Sequence, residues 1–142
     1  MTVHTNSLPQ NAPESKLFAE GYRCEVQGDP DTHRYGLRVY TGGTNSYFVN
    51  ILQGTCECKG FRFRRSCDHL TDILPLCRAQ YAELEDVFEA NGETIRRGGL
   101  NYRQRDEMRD FGTKIDLLMA DLQMMVIILE AEARFEAMEV AA

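Results

Sequence analysis

The chain has 142 residues, 43% of them apolar and 27% charged, with five cysteines and a formal net charge of −6. This is the size and composition of one compact globular domain, or of a small domain with a helical extension. The longest apolar stretch, Met124 to Leu129, is far shorter than the roughly 18 residues a membrane-spanning helix needs, and the acidic balance excludes a protein that coats nucleic acid over its whole surface.

Residues 1–19 open with a polar stretch (MTVHTNSLPQNAPES) that holds Pro9 and Pro13 and few bulky apolar groups. They read as a mobile N-terminal tail. No basic segment leads into an apolar one, so no secretory leader is expected, and the protein belongs in the cytoplasm or nucleus. Thiols stay reduced in those compartments, and an odd number of cysteines also argues against a closed disulfide framework. His4 in the tail and His33 in a turn read as exposed and silent.

From Tyr22 the pattern has a period of two. Tyr22, Cys24 and Val26 alternate with polar residues, as do Tyr35, Leu37 and Val39, and then Tyr47, Val49 and Ile51 alternate with Phe48, Asn50 and Leu52. Gly28-Asp29-Pro30-Asp31 and Gly42-Gly43-Thr44-Asn45 carry turn chemistry between these runs. The expectation is a three-stranded antiparallel sheet that ends at Gly54. A sheet this small needs something to staple or cover it.

The staple is in the next segment. Cys56, Cys58, Cys67 and His69 form the pattern C-x-C-x8-C-x-H. Structural zinc takes four such ligands in a tetrahedron, commonly three thiolates and an imidazole. Ligands two residues apart reach one ion if the strand bends between them, and the glycines at 54 and 60 ease that bending. The segment between the two pairs reads as a loop, and its Lys59, Arg62, Arg64 and Arg65 carry positive charge, which favours thiolate over thiol. A redox dithiol at Cys56 and Cys58 is the chemical rival, but it leaves Cys67 and His69 without a role. Zn²⁺ is the expected cofactor, and its binding would supply folding free energy to the sheet. Cys24 and Cys77 read as small buried hydrophobes instead.

After the cluster the period becomes helical. Leu70, Ile73, Leu74, Cys77, Tyr81, Leu84 and Phe88 recur mostly at three or four, with Pro75 in or near a first turn and Asn91-Gly92 as a helix stop. Residues 93–103 read as a connection. A long helix is then expected over about 104–140, where Met108, Phe111, Ile115, Leu118, Leu122, Met125 and Leu129 alternate at spacings of three and four. Its methionines, Met108, Met119, Met124, Met125 and Met138, read as core. So apolar a helix needs a partner: the preceding helix, a second copy, or another protein.

The cysteine and histidine pattern, with Phe61 and the basic residues that follow it, resembles the SWIM zinc finger over roughly residues 20–80. The resemblance implies a zinc fold that binds DNA or protein. The chain therefore divides into a tail (1–19), a SWIM-like zinc-binding domain (20–91), and a connection with a long C-terminal helix (92–142). The expected class is α+β: a small antiparallel sheet, a zinc knuckle followed by a helix, and a long helix in a helical hairpin or coiled coil.

Two functions stay open. In the first, Lys59, Arg62, Arg64 and Arg65 contact phosphates in a nucleic-acid-binding or DNA-transaction accessory module; Phe61 and Phe63 could stack bases there, but partial burial is the expectation for both, since a small zinc fold needs apolar filling. Arg96, Arg97, Arg103, Arg105 and Arg109 either extend that patch or pair with Asp106, Glu107 and Asp110. In the second, the zinc is purely architectural, and Ile115, Leu118, Leu122, Met125 and Leu129 bind a protein partner or build a homo-oligomer. The acidic half of the chain favours this reading: residues 70–142 hold eight basic and fifteen acidic side chains, residues 1–69 eight and seven. No phosphate loop, H-E-x-x-H, G-x-S-x-G or deaminase pattern occurs, so neither an enzyme nor a small-molecule substrate is expected.

Overall fold

The computed structural model describes residues 14–29, 34–41, 43 and 45–141. The fold is α+β, with a four-stranded antiparallel sheet against a long helical hairpin. The elements in chain order are α1 (Lys16–Ala19), β1 (Arg23–Asp29), β2 (Arg34–Tyr40), β3 (Ser46–Asn50), β4 (Thr55–Cys56), α2 (Lys59–Arg64), α3 (Asp68–Thr71), α4 (Ile73–Arg97) and α5 (Tyr102–Ala141). Residues 1–13 of the expected tail, residues 30–33 and 42 and 44 of the expected turns, and with them His4 and His33, lie outside the described residues.

The register follows the alternation. Cys24 lies opposite Val39, Val26 opposite Leu37, Leu37 opposite Val49 and Val39 opposite Tyr47, so one face carries the apolar set. Leu37, Val39 and Val49 are wholly buried there, in one core with Leu76 and Cys77 of α4 and with Leu122 and Met125 of α5. On β2, Gly36 sits where a Cβ would come within 1.9 Å of the Val49 carbonyl oxygen, so no side chain fits.

Three boundaries differ from expectation. The sheet does not end at Gly54. The Asn50 side chain accepts from the Leu52 and Gln53 amides, both at 3.1 Å, and closes a turn that returns Thr55 and Cys56 to pair with β3. Nor does the first long helix stop at Asn91-Gly92. It runs on to Arg97 and ends at Gly98-Gly99, both at positive φ. Asn91 is tolerated inside because its amide donates to the Met108 carbonyl at 2.9 Å, across the hairpin. The connection is therefore 98–101, not 93–103, and Asn101 and Gln104 open α5 with reciprocal side-chain-to-amide bonds of 2.8 and 3.1 Å. Pro75 stands in the first turn of α4, where no amide donor is missed.

Third, residues 14–19 are not all tail. Asp72 accepts from the Ser15 hydroxyl at 2.5 Å and from the Leu17 amide at 2.9 Å, which pins α1 to the start of α4 and buries Leu17. The outer edge of the sheet is also managed from α4. Gln80 accepts from the Cys24 amide at 2.6 Å and donates to the Cys24 carbonyl at 2.7 Å, as a neighbouring strand would. Among the described residues no helix is long and apolar enough to cross a membrane.

Candidate metal centre

Three consecutive short elements, β4, α2 and α3, bring the Cys and His pairs together. The β3–β4 turn delivers Cys56 against Val49. Cys58 follows as the N-cap of α2, its sulfur accepting from the Phe61 amide at 3.4 Å. One and a half turns later Arg65 takes the left-handed conformation (φ 59°) and donates its amide to the Phe61 carbonyl at 2.7 Å. That cap reverses the chain, so Cys67 and His69 come back at the start of α3. A non-glycine residue at this φ is uncommon.

The ligand atoms of Cys56, Cys58, Cys67 and His69 all lie within 4.8 Å of one another, and this group could hold a metal ion. Cys56 Sγ stands 3.7 Å from His69 Nδ1. A tetrahedral zinc with ordinary Zn–S and Zn–N bonds sets that edge at about 3.6 Å, and a sulfur–sulfur edge at about 3.8 Å. The donor set fits the group: three soft sulfurs and a borderline nitrogen, with Cys56 and Cys58 buried.

Tyr47 lies 4.8 Å and Tyr22 5.8 Å from His69, ring centre to ring centre. The imidazole thus stands against one tyrosine of β3 and one just ahead of β1. Reading the sequence did not give these tyrosines a role, yet the signal was there. The strand alternation puts both on the face that carries Cys56.

Burial pushes the Cys56 thiol well above the ordinary range, and burial likewise raises Cys67. Burial works against Cys58 as well, but the Phe61 and Gly60 amides and hydrogen bonds with Cys67 and Cys56 outweigh it and bring that sulfur below its usual value. Burial lowers His69, against the Asp68 carboxylate, so its ring nitrogen is neutral and free to bind near pH 7. The group is therefore asymmetric before any cation enters, with Cys58 the sulfur readiest to be a thiolate.

Around this centre α2 presents Lys59, Arg62, Arg64 and, just beyond it, Arg65 to solvent. Among the described residues none of the four is in an ion pair. Phe63 is 81% exposed, not partly buried as expected, because a six-residue helix turns only one flank to the core and Phe61 takes it. The segment expected as a loop is thus a short basic helix. Beside it opens a cleft of about 650 Å³, with Tyr22, Tyr47 and Cys58 on its walls and Lys59, Arg62 and Arg64 at its rim.

The second basic set is arranged differently. Arg96 and Arg97 bridge to Glu93, at 2.6 and 3.8 Å, and Arg103 bridges to Glu107 at 3.3 Å, all within one helical turn. Arg96, Arg97 and Arg103 are thus paired locally at the hairpin tip, whereas Arg105 and Arg109 are in no ion pair among the described residues. The five residues proposed as an interaction seam are also placed: Ile115, Leu122, Met125 and Leu129 are buried in the chain's own core, and Leu118 is exposed. Of the methionines, Met125 is core and Met119 packs against it, whereas Met124 and Met138 are exposed. Cys24 and Cys77 are buried with their sulfurs 4.0 Å apart, and their shared hydrogen bond, reinforced by burial, holds Cys77 as a thiol.

Comparison with protein-family models, with curated proteins and with solved structures found no match to this chain.

Proposed function

We propose that this protein is a zinc-stabilised binding module whose basic α2 helix contacts nucleic acid. Zn²⁺ would be held by Cys56, Cys58, Cys67 and His69, and its role is structural. With four protein ligands the tetrahedron is closed and no position is left for substrate. When bound, the ion fixes β4, α2 and α3 relative to the sheet. The C-x-C-x8-C-x-H order, which resembles the SWIM finger, supports the same reading.

The observation that carries the nucleic-acid half is the state of the cations. Lys59, Arg62, Arg64 and Arg65 are exposed on a metal-held scaffold with no ion pair among the described residues, while Arg96, Arg97 and Arg103 are all engaged. Free guanidinium groups on a rigid element suit phosphate contacts, and an 81% exposed Phe63 among them suits base stacking. The protein's net charge of −6 confines the contact to this patch.

The test is a titration of the zinc-loaded chain against labelled single- and double-stranded DNA at several salt concentrations. Affinity should fall steeply with salt, as counterions released by phosphate contacts require. Arg62→Ala and Arg64→Ala should each weaken binding several-fold and flatten the salt dependence, with zinc content unchanged. Equal affinity in both variants and the parent would remove the assignment.

A further inference from the structure

The long helix α5 carries two heptad seams on opposite sides, and only one is used within the chain. The inner seam is Ile115, Leu122, Met125 and Leu129. The outer one runs Leu117, Ala120, Met124, Ile127, Ala131, Phe135 and Met138, at spacings of 3, 4, 3, 4, 4 and 3. Leu117 is 61% exposed, Phe135 63% and Met138 70%, and Met124 and Ile127 about half. Five bulky apolar side chains thus form one stripe about 32 Å long, far from the scattered single residues normal on a surface.

We infer that this outer stripe is a docking face for a second copy of the same helix, packed antiparallel. The flanking charges select both occupant and direction. In a parallel pair Asp116 of each helix comes against Asp121 of the other, twice, which is repulsive. In an antiparallel pair centred between Met124 and Ile127, Met124 meets Ile127, Leu117 lies beside Phe135, and Ala120 meets Ala131. That register sets Asp116 next to Arg134 of the second copy, again twice, because a two-fold interface repeats each contact. Neither Asp116 nor Arg134 is in an ion pair among the described residues, and both are exposed. The two alanine layers let the helix backbones approach closely on either side of the Met124–Ile127 centre. Asp121 and Glu132 come near each other on the far flank, so the association is reversible rather than permanent. This surface is independent of the nucleic-acid reading. It also differs from the seam expected from sequence, four of whose five residues are buried in the chain's own core.

The experiment is sedimentation velocity on the full zinc-loaded chain across a wide concentration range, with matched variants checked for helix content and zinc. The parent should move from monomer to dimer in the micromolar range. Ile127→Glu, at an exposed position, should keep the fold and weaken the dimer about a hundredfold, since it places two carboxylates at the centre of an apolar seam. Asp116→Arg alone should weaken it roughly tenfold, because two attractions become repulsions, and adding Arg134→Asp should restore it. A parent that stays monomeric at every concentration overturns the proposal. A dimer indifferent to Ile127→Glu also overturns it. A dimer that Asp116→Arg strengthens has the parallel arrangement and overturns the antiparallel one.

Discussion

The head of the molecule, residues 55–72, and the hairpin, residues 73–129, differ in how much apolar surface they bury. The hairpin is built on wholly buried apolar side chains, among them Leu76, Cys77, Leu122 and Met125. In the head neither α2 nor α3 has a single buried residue; Phe61 and Leu70 are only half covered. Its buried groups are the ligand sulfurs Cys56 and Cys58. Apolar burial maintains the hairpin and the sheet packed on it, whereas under the proposed zinc binding the head would depend on Cys56, Cys58, Cys67 and His69 closing round one ion. The basic helix proposed to bind nucleic acid stands on the part that carries the Cys and His cluster.

That contrast is broken most directly by removing the metal. A chelator, or Cys58→Ser or His69→Ala, should strip hydrogen-exchange protection from residues 55–72 while the amides of α4 and α5 keep theirs. The expected loss is of the order of the metal's binding free energy, about 10 kcal/mol for a structural zinc. Uniform loss of protection across both regions would contradict the separation. Acid should act through the same ligands. Burial depresses His69 below its unfolded value of 6.5, so its contribution is complete above that value and lost as pH falls through the lower folded one. Cys56 and Cys67, raised by burial, must release protons to take up metal, so metal affinity should rise with pH. Acid titration followed by zinc release and by helix circular dichroism should show zinc leaving first.

The next effect in size falls on the hairpin. Leu122→Ala and Met125→Ala delete fully enclosed side chains and should each cost about 2–5 kcal/mol in urea unfolding. Because the sheet shares that core, its signal should melt together with the helices. Smaller again is Gln80→Leu. It leaves the Cys24 amide and carbonyl at the sheet edge without their partner and should cost about 1–3 kcal/mol. Asn91→Ala, which removes one bond to the Met108 carbonyl, should cost about 1 kcal/mol. If Gln80→Leu proved neutral, the edge would be closed by something other than this side chain.

Much of this was legible in the sequence because the signals were periodic or chemical. The alternation through Tyr22, Leu37 and Val49 gives the inward face of the sheet, and the a/d spacing of Ile115, Leu122 and Leu129 gives the hairpin core. That Cys56, Cys58, Cys67 and His69 come together reads directly from residue type and spacing. The misses came from bonds between residues distant in sequence. Asn91-Gly92 carries stop chemistry, but the Asn91 amide reaches a carbonyl 17 positions on, so the helix continues. Ser15 and Leu17 look like tail until Asp72, more than fifty residues away, accepts from them. Phe63 has the hydrophobicity of a core residue, and only the phase of a six-residue helix puts it in water. The outer seam on α5 was hidden for the opposite reason: one heptad pattern was evident, and a second on the same helix is masked by the first.

Zinc-edge X-ray absorption on the chain purified without added metal, with the metal content measured alongside, tests the central claim most directly. One zinc per chain is expected, with three sulfurs at about 2.3 Å and one nitrogen at about 2.0 Å, and loss of the metal in the His69→Ala and Cys58→Ser variants. A chain that folds its head without zinc, or a zinc shell of oxygen and nitrogen alone, would contradict it.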